Sequence, residues 1–191
     1  MPPTPRKLGA GPCIGAAVTL LHTAQLDPAA LRAARDLVFE AFDGGFTDDD
    51  WDHALGGLHA LVHADGELVA HGAVVQRRML HGGSTLRVGY VEAVAVHPAV
   101  RRRGHASALM AALEDVIRPG FDAGALSASD AGALLYACRG WQRWRGTTWA
   151  LTPEGRVRTA DEDDALFVLP GALPLDLDGE ITCDWRTGDL W

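Results

Sequence analysis

The residues with the clearest chemical potential are three consecutive arginines followed by glycine, histidine and alanine, Arg101–Ala106. The surrounding pattern predicts a helix beginning at Gly104, and positive charge at a helix N-terminus opposes the helix dipole unless an anion is bound there. Gly104 and the small Ala106 let a ligand approach the backbone, where first-turn N–H groups can bind phosphate oxygens. An arginine triplet alone is more often a solvated surface or a set of ion pairs. Its position directly after a buried strand favours a pyrophosphate site.

Glu92 is the second candidate, because it lies within the otherwise apolar stretch Tyr90–Val96. An unpaired carboxylate is costly to bury, so a chemical role is favoured for this residue. The structural alternative is an ion pair between Glu92 and a nearby arginine.

Hydrophobic periodicity predicts the elements that must position these residues. A first strand is expected near Val18–Leu21, a helix from Asp27-Pro28 to Gly44-Gly45, and a short helix from Thr47 through Leu55. Three antiparallel strands follow, then an alternation of helices and strands; the predicted ranges are Leu58–Ala64, Glu67–Leu80, Thr85–Val96, Gly104–Ile117 (helix), Gly124–Ser127, Asp130–Cys138 (helix) and Trp141–Leu151. Thr152–Asp164 is predicted to be a loop, Ala165–Leu169 a strand, and the remainder a tail. The fold class is α/β (α+β), a mixed sheet with an antiparallel N-terminal meander and a βαβ half.

Length and composition are those of one globular domain, with 191 residues, 48% hydrophobic and 22% charged. We expect a flexible leader over residues 1–15 and a single domain over 16–191. The formal charge of −8 argues against binding to nucleic acid and favours a cationic or neutral small partner. No stretch is apolar enough for a membrane span. The abundance of arginine over lysine, with much alanine and glycine, is typical of GC-rich bacterial genes.

The cysteines, Cys13, Cys138 and Cys183, form no CxxC pattern, so we expect neither a disulfide framework nor a zinc site, and a cytoplasmic location. His59 and His63 would lie on one face of a strand and about 13 Å from each other. This distance is too long for both to bind one metal, and no metal is predicted.

Tryptophans near the late strand are expected in the core or a dimer interface. Neither a GxGxxG after a strand nor a GKS or GKT string occurs, which argues against nucleotide-binding alternatives.

The string Arg101-x-x-Gly104-x-Ala106 resembles the acetyl-CoA signature Arg/Gln-x-x-Gly-x-Gly/Ala of the GNAT acetyltransferases, whose order of elements is similar as well. Longer strings resemble the bacterial aminoglycoside 2'-N-acetyltransferases within that superfamily: Phe46–Trp51, Gly56–Ala60, Gly89–Glu92, Leu135–Trp141, Phe167–Pro170 and Cys183–Trp191. The resemblance covers nearly all of the chain after the leader.

The resemblance implies acetyl transfer from acetyl-CoA to the 2'-amine of an aminoglycoside, an antibiotic inactivation, by direct attack in a ternary complex. Glu92 would be the base, acting through water, and Tyr136 the acid that protonates the thiolate. Acetyl-CoA, a co-substrate, would be bound by Val94, Ala95, Val96, Arg101, Arg102, Arg103, Gly104, His105 and Ala106. The aminoglycoside would contact Gly45, Asp50, Glu92, Ala93, Ser127, Glu162, Asp189 and Trp191, the last through its carboxylate. A homodimer is also expected.

Gly45, Ala93 and Glu162 depart from the family pattern, which has aspartate, glycine and aspartate at these positions. These departures leave a second hypothesis open, in which the acceptor is an endogenous amine. A third hypothesis is a non-catalytic module that binds acyl-CoA. Retention of Glu92 and Tyr136 speaks against it.

Overall fold

The structure, a computed structural model, describes residues 17–191, so the predicted leader and Cys13 lie outside the described residues. Its helices are α1 (Pro28–Phe42), α2 (Asp48–Ala54), α3 (His105–Gly120) and α4 (Asp130–Cys138). Its strands are β1 (Val18–His22), β2 (Leu58–Ala64), β3 (Glu67–His81), β4 (Ser84–Val96), β5 (Ala123–Ser127), β6 (Gln142–Arg143), β7 (Thr148–Thr152), β8 (Gly155–Arg158), β9 (Leu166–Pro170) and β10 (Ile181–Cys183).

The strands form one mixed sheet in the order β6-β9-β5-β4-β3-β10-β7-β8, with β2 and β1 added beside β3. Strands β2, β3 and β4 are antiparallel neighbours, as the meander prediction requires. The polypeptide continues from β4 through α3 into β5. Strands β4 and β5 are parallel neighbours, which confirms the predicted βαβ half. The end of β3 pairs with β10, so the long β3 connects the two halves of the sheet.

Strands β4 and β5 separate soon after they meet. They pair only over Val88–Tyr90 and Ala123–Ala125, whereas β4 continues to Val96. Within residues 17–191, the edge of β4 beyond Tyr90 that faces β5 therefore has no strand partner. A bulge in this part of β4 gives Ala93 a φ of 51°. The divergence of the two strands opens the wedge in which the candidate site lies.

Helices cover both faces of the sheet. Helix α1 begins at Asp27, whose carboxylate accepts hydrogen bonds from the N–H groups of Ala29 and Ala30, and α2 begins with the predicted capping box of Thr47 and Asp50. Apolar side chains of these two helices pack with Leu61, Ala73, Ala93 and Ala95. Helix α3 packs on the opposite face with Leu109, Leu113 and Ile117. No helix in the part of the chain that the structure describes is long and apolar enough to cross a membrane.

Three sequence predictions in the C-terminal third are wrong. The strand predicted over Trp141–Leu151 is two strands, β6 and β7, which pair with different partners. The chain breaks between them because the N–H groups of Arg145 and Gly146 donate to the Leu177 carbonyl, 2.9 Å each. A Cβ at Gly146 would lie 1.7 Å from the Gly179 oxygen, so only glycine fits this crossing.

The predicted loop over Thr152–Asp164 contains β8, which forms a hairpin with β7. The predicted tail contains β10, a strand of three residues between β3 and β7. Both strands are too short for a clear alternation of side chains, and β10 is stabilised by partners that are distant in sequence. The helix predicted to end at Ile117 continues to Gly120.

Candidate active site

Two adjoining cavities lie in the wedge between β4 and β5. The first, here called the groove, has a volume of about 650 Å³ and extends from the end of β4 to the start of α3. The second, here called the pocket, has a volume of about 220 Å³ and lies toward α2 and the C-terminal segment. Four residues line both cavities: Phe42, Val94, Ser129 and Tyr136. The two cavities therefore meet at these side chains.

The groove brings together eight of the nine residues predicted to bind acetyl-CoA: Val94, Ala95, Val96, Arg101, Arg102, Gly104, His105 and Ala106. Arg103 is not among the described residues that line it. Arg101 contacts backbone on two sides, since Nε donates to the Val96 carbonyl at 3.2 Å and Nη2 donates to the Ala41 carbonyl at 3.1 Å. Arg101 therefore connects β4 to the end of α1.

The start of α3 is suited to a phosphate group. Gly104 is the N-cap with a φ of 88°, it gives no side-chain capping bond, and the first turn contains no acidic residue. The first-turn N–H groups thus point toward the groove without competition from a carboxylate. The buried Nδ1 of His105 has no hydrogen-bond partner among residues 17–191. These residues fit an anionic cofactor such as acetyl-CoA.

Glu92 lies in the pocket with its side chain 12% exposed. Its carboxylate contacts the guanidinium of Arg186, so the ion pair left open by the sequence is present. Burial raises the pKa of the Glu92 carboxyl, while Arg186 and Arg77 act in the opposite direction. The Nε of Arg186 also donates to the Asp189 carbonyl at 2.7 Å. The Glu92 carboxylate is therefore both the partner of Arg186 in an ion pair and the candidate base.

Tyr136 lies on α4 where the two cavities meet and is 7% exposed. Its ring packs against Trp141 and Phe167, with centroids 6.2 Å apart in each case. Burial raises the pKa of Tyr136 to about 12. The hydroxyl is therefore protonated at neutral pH and is able to donate a proton.

Seven of the eight residues predicted to bind the aminoglycoside line the pocket: Gly45, Asp50, Glu92, Ala93, Ser127, Asp189 and Trp191. Glu162 does not line it, but accepts a hydrogen bond from Ser127 Oγ at 3.2 Å. Burial, with a smaller contribution from Asp189, raises the pKa of Glu162. The structure therefore gathers several carboxylates from distant segments around one cavity.

Two of these residues also have structural partners. The Asp50 carboxylate accepts hydrogen bonds from the N–H and hydroxyl of Thr47, both 2.8 Å, at the start of α2. The indole Nε1 of Trp191 donates to Thr159 Oγ1 at 2.9 Å, and Trp191 is 4% exposed. These contacts hold the two side chains in the wall of the pocket.

Sequence reasoning did not assign Arg186, Tyr90 or His53, although all three line the pocket. Arg186 lies over the Tyr90 ring, 5.4 Å from its centroid, and the ring nitrogen Nε2 of His53 is 2.7 Å from the Thr187 carbonyl oxygen. Arg186 stands in one of the strings that carry the family resemblance, but it is 94 residues from Glu92. No spacing in the sequence could have connected the two.

Residues 25–143 match the family model described as Acetyltransferase (GNAT) domain. Over 176 residues the chain is 52% identical to an aminoglycoside 2'-N-acetyltransferase from Mycolicibacterium fortuitum, and the match covers 90% of each chain.

Solved structures give the same architecture at lower identity. The crystal structure of Escherichia coli ElaA matches with a TM-score of 0.57 and 17% identity, covering 81% of this chain and 99% of the other. An acyl-CoA N-acyltransferase from Pseudomonas aeruginosa matches with a TM-score of 0.56 and 20% identity, covering 80% and 98%. At these identities the likeness shows the fold alone.

Proposed function

Because the chain belongs to the aminoglycoside 2'-N-acetyltransferase family of the GNAT acetyltransferases, we propose that it transfers acetyl from acetyl-CoA to the 2'-amino group of aminoglycosides. The observation that carries this proposal is the position of Tyr136 at the junction of two cavities. One cavity offers backbone N–H groups and arginines, which suit an anionic cofactor. The other offers carboxylates, which suit a cationic amine.

We assign acetyl-CoA to the groove. The first turn of α3 would hold the phosphates, with Gly104 allowing close approach, and the free edge of β4 at Val94–Val96 would hold the extended part of the cofactor. When bound, acetyl-CoA supplies the acetyl group as an activated thioester. Backbone N–H groups of β4 aimed at the thioester carbonyl would stabilise the charge that develops there.

Glu92 is the proposed base. An ammonium group cannot attack a thioester, so the amine must lose a proton, and Glu92 accepts it through a water molecule. Burial raises the pKa of this carboxyl and thereby strengthens it as a base. The guanidinium of Arg186 keeps it ionised before the amine binds.

Tyr136 is the proposed acid. Its elevated pKa, about 12, keeps its proton available at neutral pH for the departing thiolate. Because the residue lines both cavities, its hydroxyl can serve a reaction at their junction.

The other ammonium groups of an aminoglycoside would contact the acidic residues around the pocket, Asp50 and Asp189, with Glu162 at the rim beside Ser127. Trp191 would contribute its terminal carboxylate, with the buried indole ring holding the chain end in place. Ala93 would contact the substrate through its main chain. Gly45 would leave room for the substrate but offer it no charged group.

The test is release of thiol from acetyl-CoA in the presence of a panel of aminoglycosides. Matched drugs with a hydroxyl in place of the 2'-amine are the control. Turnover is expected only with the 2'-amino drugs, and acetylation of the 2'-hydroxyl drugs at equal rate would contradict the regiochemistry.

Gly45 supports a second candidate, acetylation of an endogenous amine. It lines the pocket at a position without a carboxylate, which removes one contact for a polycationic drug. A higher kcat/KM for a sugar amine, a polyamine or a cell-wall precursor than for every aminoglycoside would favour this candidate.

We further propose that the protein confers aminoglycoside resistance in a bacterial cytoplasm and acts there as a homodimer. Two cysteines of the described residues, Cys138 and Cys183, are free thiols, in keeping with a reducing compartment. Light scattering coupled to gel filtration should give twice the chain mass, and drug tolerance of bacteria that express the chain should rise.

A further inference from the structure

Two buried histidines behind the pocket have no place in the proposed mechanism. His59 on β2 and His71 on β3 are both 0% exposed. Their ring centroids are 5.2 Å apart, and the ring of Trp51 covers them on one side, 5.6 Å from His71. Neither residue is among the described residues that line the pocket or the groove.

The two rings connect the start of the domain to the bulge of β4. Thr23 Oγ1 is 2.8 Å from His59 Nε2, His59 Nδ1 is 2.9 Å from His71 Nε2, and His71 Nδ1 is 3.0 Å from the Ala93 carbonyl oxygen. Every ring nitrogen of the pair therefore has a partner at hydrogen-bond distance.

The Ala93 carbonyl is the last member of this series of hydrogen bonds, and it determines where every proton in the series lies. The Ala93 carbonyl can only accept, so His71 carries its proton on Nδ1, and its Nε2 accepts from His59 Nδ1. His59 Nε2 then accepts from the Thr23 hydroxyl at 2.8 Å, a shorter contact than the 3.3 Å from that hydroxyl to the Gly57 carbonyl. Burial lowers the pKa of both histidines to about 4, so both rings are neutral at pH 7, as this arrangement requires.

The acceptor of this chain is the residue that makes the bulge. His71 pairs with Ala95 and Ala73 pairs with Glu92, so Ala93 and Val94 together lie opposite Gly72 alone. Ala93 has a φ of 51°, which is unfavourable for alanine. The bulge lies between Glu92, which faces the pocket, and Val94, which lines both cavities.

We propose that His59 and His71 are positioning residues that hold the Ala93 carbonyl and thereby set the geometry of the β4 bulge on which Glu92 and Val94 depend. The kinetic part of this inference rests on the proposed function. The geometric part does not, because hydrogen bonding to Ala93 is measurable without turnover.

The first test compares two polar substitutions at one position. In His71→Asn the amide nitrogen can take the place of Nδ1 and still donate to Ala93, whereas in His71→Gln the amide reaches toward His59 and leaves Ala93 without a donor. We expect kcat to fall about tenfold or more in His71→Gln. His71→Asn should keep most of the wild-type kcat and a Kd for CoA within twofold of wild type, whereas the Kd for CoA should rise in His71→Gln because Val94 lines the groove as well as the pocket.

Val62→Ala is the control for stability. Val62 is fully buried on β2 but packs in the core on the other face of the sheet, and it takes no part in the hydrogen-bonded chain. We expect a lower Tm with kcat within twofold of wild type. If this variant loses as much kcat as His71→Gln at a similar Tm, or if His71→Asn and His71→Gln behave alike, the positioning role is overturned.

The second test needs no activity. In protein with ¹⁵N-labelled histidine, NMR should show both rings protonated on Nδ1, and the backbone amide signals of Ala93 and Val94 should shift in His71→Gln but not in His71→Asn. Rings protonated on Nε2, or amide signals that stay unchanged in His71→Gln, would overturn the inference. A wild-type protein that acetylates no aminoglycoside would instead contradict the proposed function and leave this test in force.

Discussion

The groove and the pocket are built in different ways. The groove is formed mainly by two segments that are close in sequence, the end of β4 and the start of α3, and it presents backbone groups and arginines. The pocket takes residues from the end of α1, from α2 and the loop before it, from β4, β5 and α4, and from the C-terminal segment. Binding in the groove therefore depends on backbone conformation, whereas binding in the pocket depends on individual side chains.

The two cavities also differ in charge. The groove contains Arg101, Arg102 and the open N-terminus of α3, and the pocket contains Glu92, Asp50 and Asp189. An anionic cofactor and a cationic amine are thus attracted to opposite ends of one site. Substitutions in the pocket should change turnover and amine binding and leave CoA binding nearly unchanged.

The largest effect is expected from Glu92→Gln. Loss of the proposed base should lower kcat/KM for the amine by about 10²- to 10³-fold, because a glutamine cannot accept the proton. The Kd for CoA, measured by calorimetry, should stay within twofold of wild type.

Glu180→Gln is the matched control. Glu180 is 60% exposed and pairs with Arg156 at 3.0 Å, and it does not line the pocket among the described residues. The same chemical change there should leave thiol release unchanged. Equal losses in both variants would remove Glu92 from its role as base.

Tyr136→Phe should follow, with kcat lower by about 10- to 10²-fold. The pKa of the hydroxyl is about 12, so wild-type Tyr136 stays protonated up to well above neutrality and the loss should be constant between pH 6 and 9. The measurement is the pH profile of kcat at saturating acetyl-CoA. Full turnover of the variant across this range would mean that water or another group protonates the thiolate.

The contrast between groove and pocket explains which parts of the site could be predicted. The phosphate end of the groove could be derived from residues alone, because Arg101–Ala106 lies at a helix start whose physics is local. Val94–Val96 were assigned to the cofactor through the family resemblance. Apart from Glu92, the pocket could be proposed only through family resemblance, since no spacing in the chain connects Ser127 with Glu162 or Glu92 with Arg186. His59 was compared with His63 on its own strand, whereas its partner in the structure, His71, lies on the next one.

The fold shows the same division. Helices α1 and α2 and the hairpins of β2, β3 and β4 have local signals, namely caps, tight turns and clear periodicity, and their ranges were predicted within a few residues. Strands β6, β7 and β10 depend on contacts between distant segments, such as the Leu177 carbonyl that accepts from Arg145 and Gly146. Short strands of this kind have too few residues to produce a pattern.

Arg186→Met should have a smaller effect that depends on pH. Arg186 lowers the pKa of Glu92, so its removal raises that pKa. The ionised base is then lost at a higher pH, and the acid limb of the kcat/KM profile should move toward neutrality. Activity at pH 6 should fall more than activity at pH 8.

The control for this change is Arg145→Met, which breaks the exposed ion pair with Asp178. Neither residue is among the described residues that line the groove or the pocket. Its pH profile should match that of wild type. A uniform loss of activity in Arg186→Met at all pH values would show that Arg186 orders the segment near Asp189 and does not act on the protonation of Glu92.

The smallest effect is expected from Ala93→Gly, and it concerns stability. In the left-handed region the groove has a glycine, Gly104 at φ 88°, and an exposed arginine, Arg102 at φ 62°, whereas the pocket has a buried alanine, Ala93 at φ 51°. Relief of this strain, reduced by the greater flexibility of glycine in the unfolded chain, should stabilise the protein by about 0.5–1 kcal/mol. The Tm should therefore rise by roughly 1–4 °C in calorimetry.

Asp65→Gly, at φ 53° in the turn between β2 and β3, is the reference for the same backbone change away from the site. Its gain in stability should be smaller because aspartate tolerates this conformation better than alanine. If Ala93→Gly lowers the Tm while Asp65→Gly raises it, the packing of the Ala93 methyl group in the α1–α2 core outweighs the strain of the bulge.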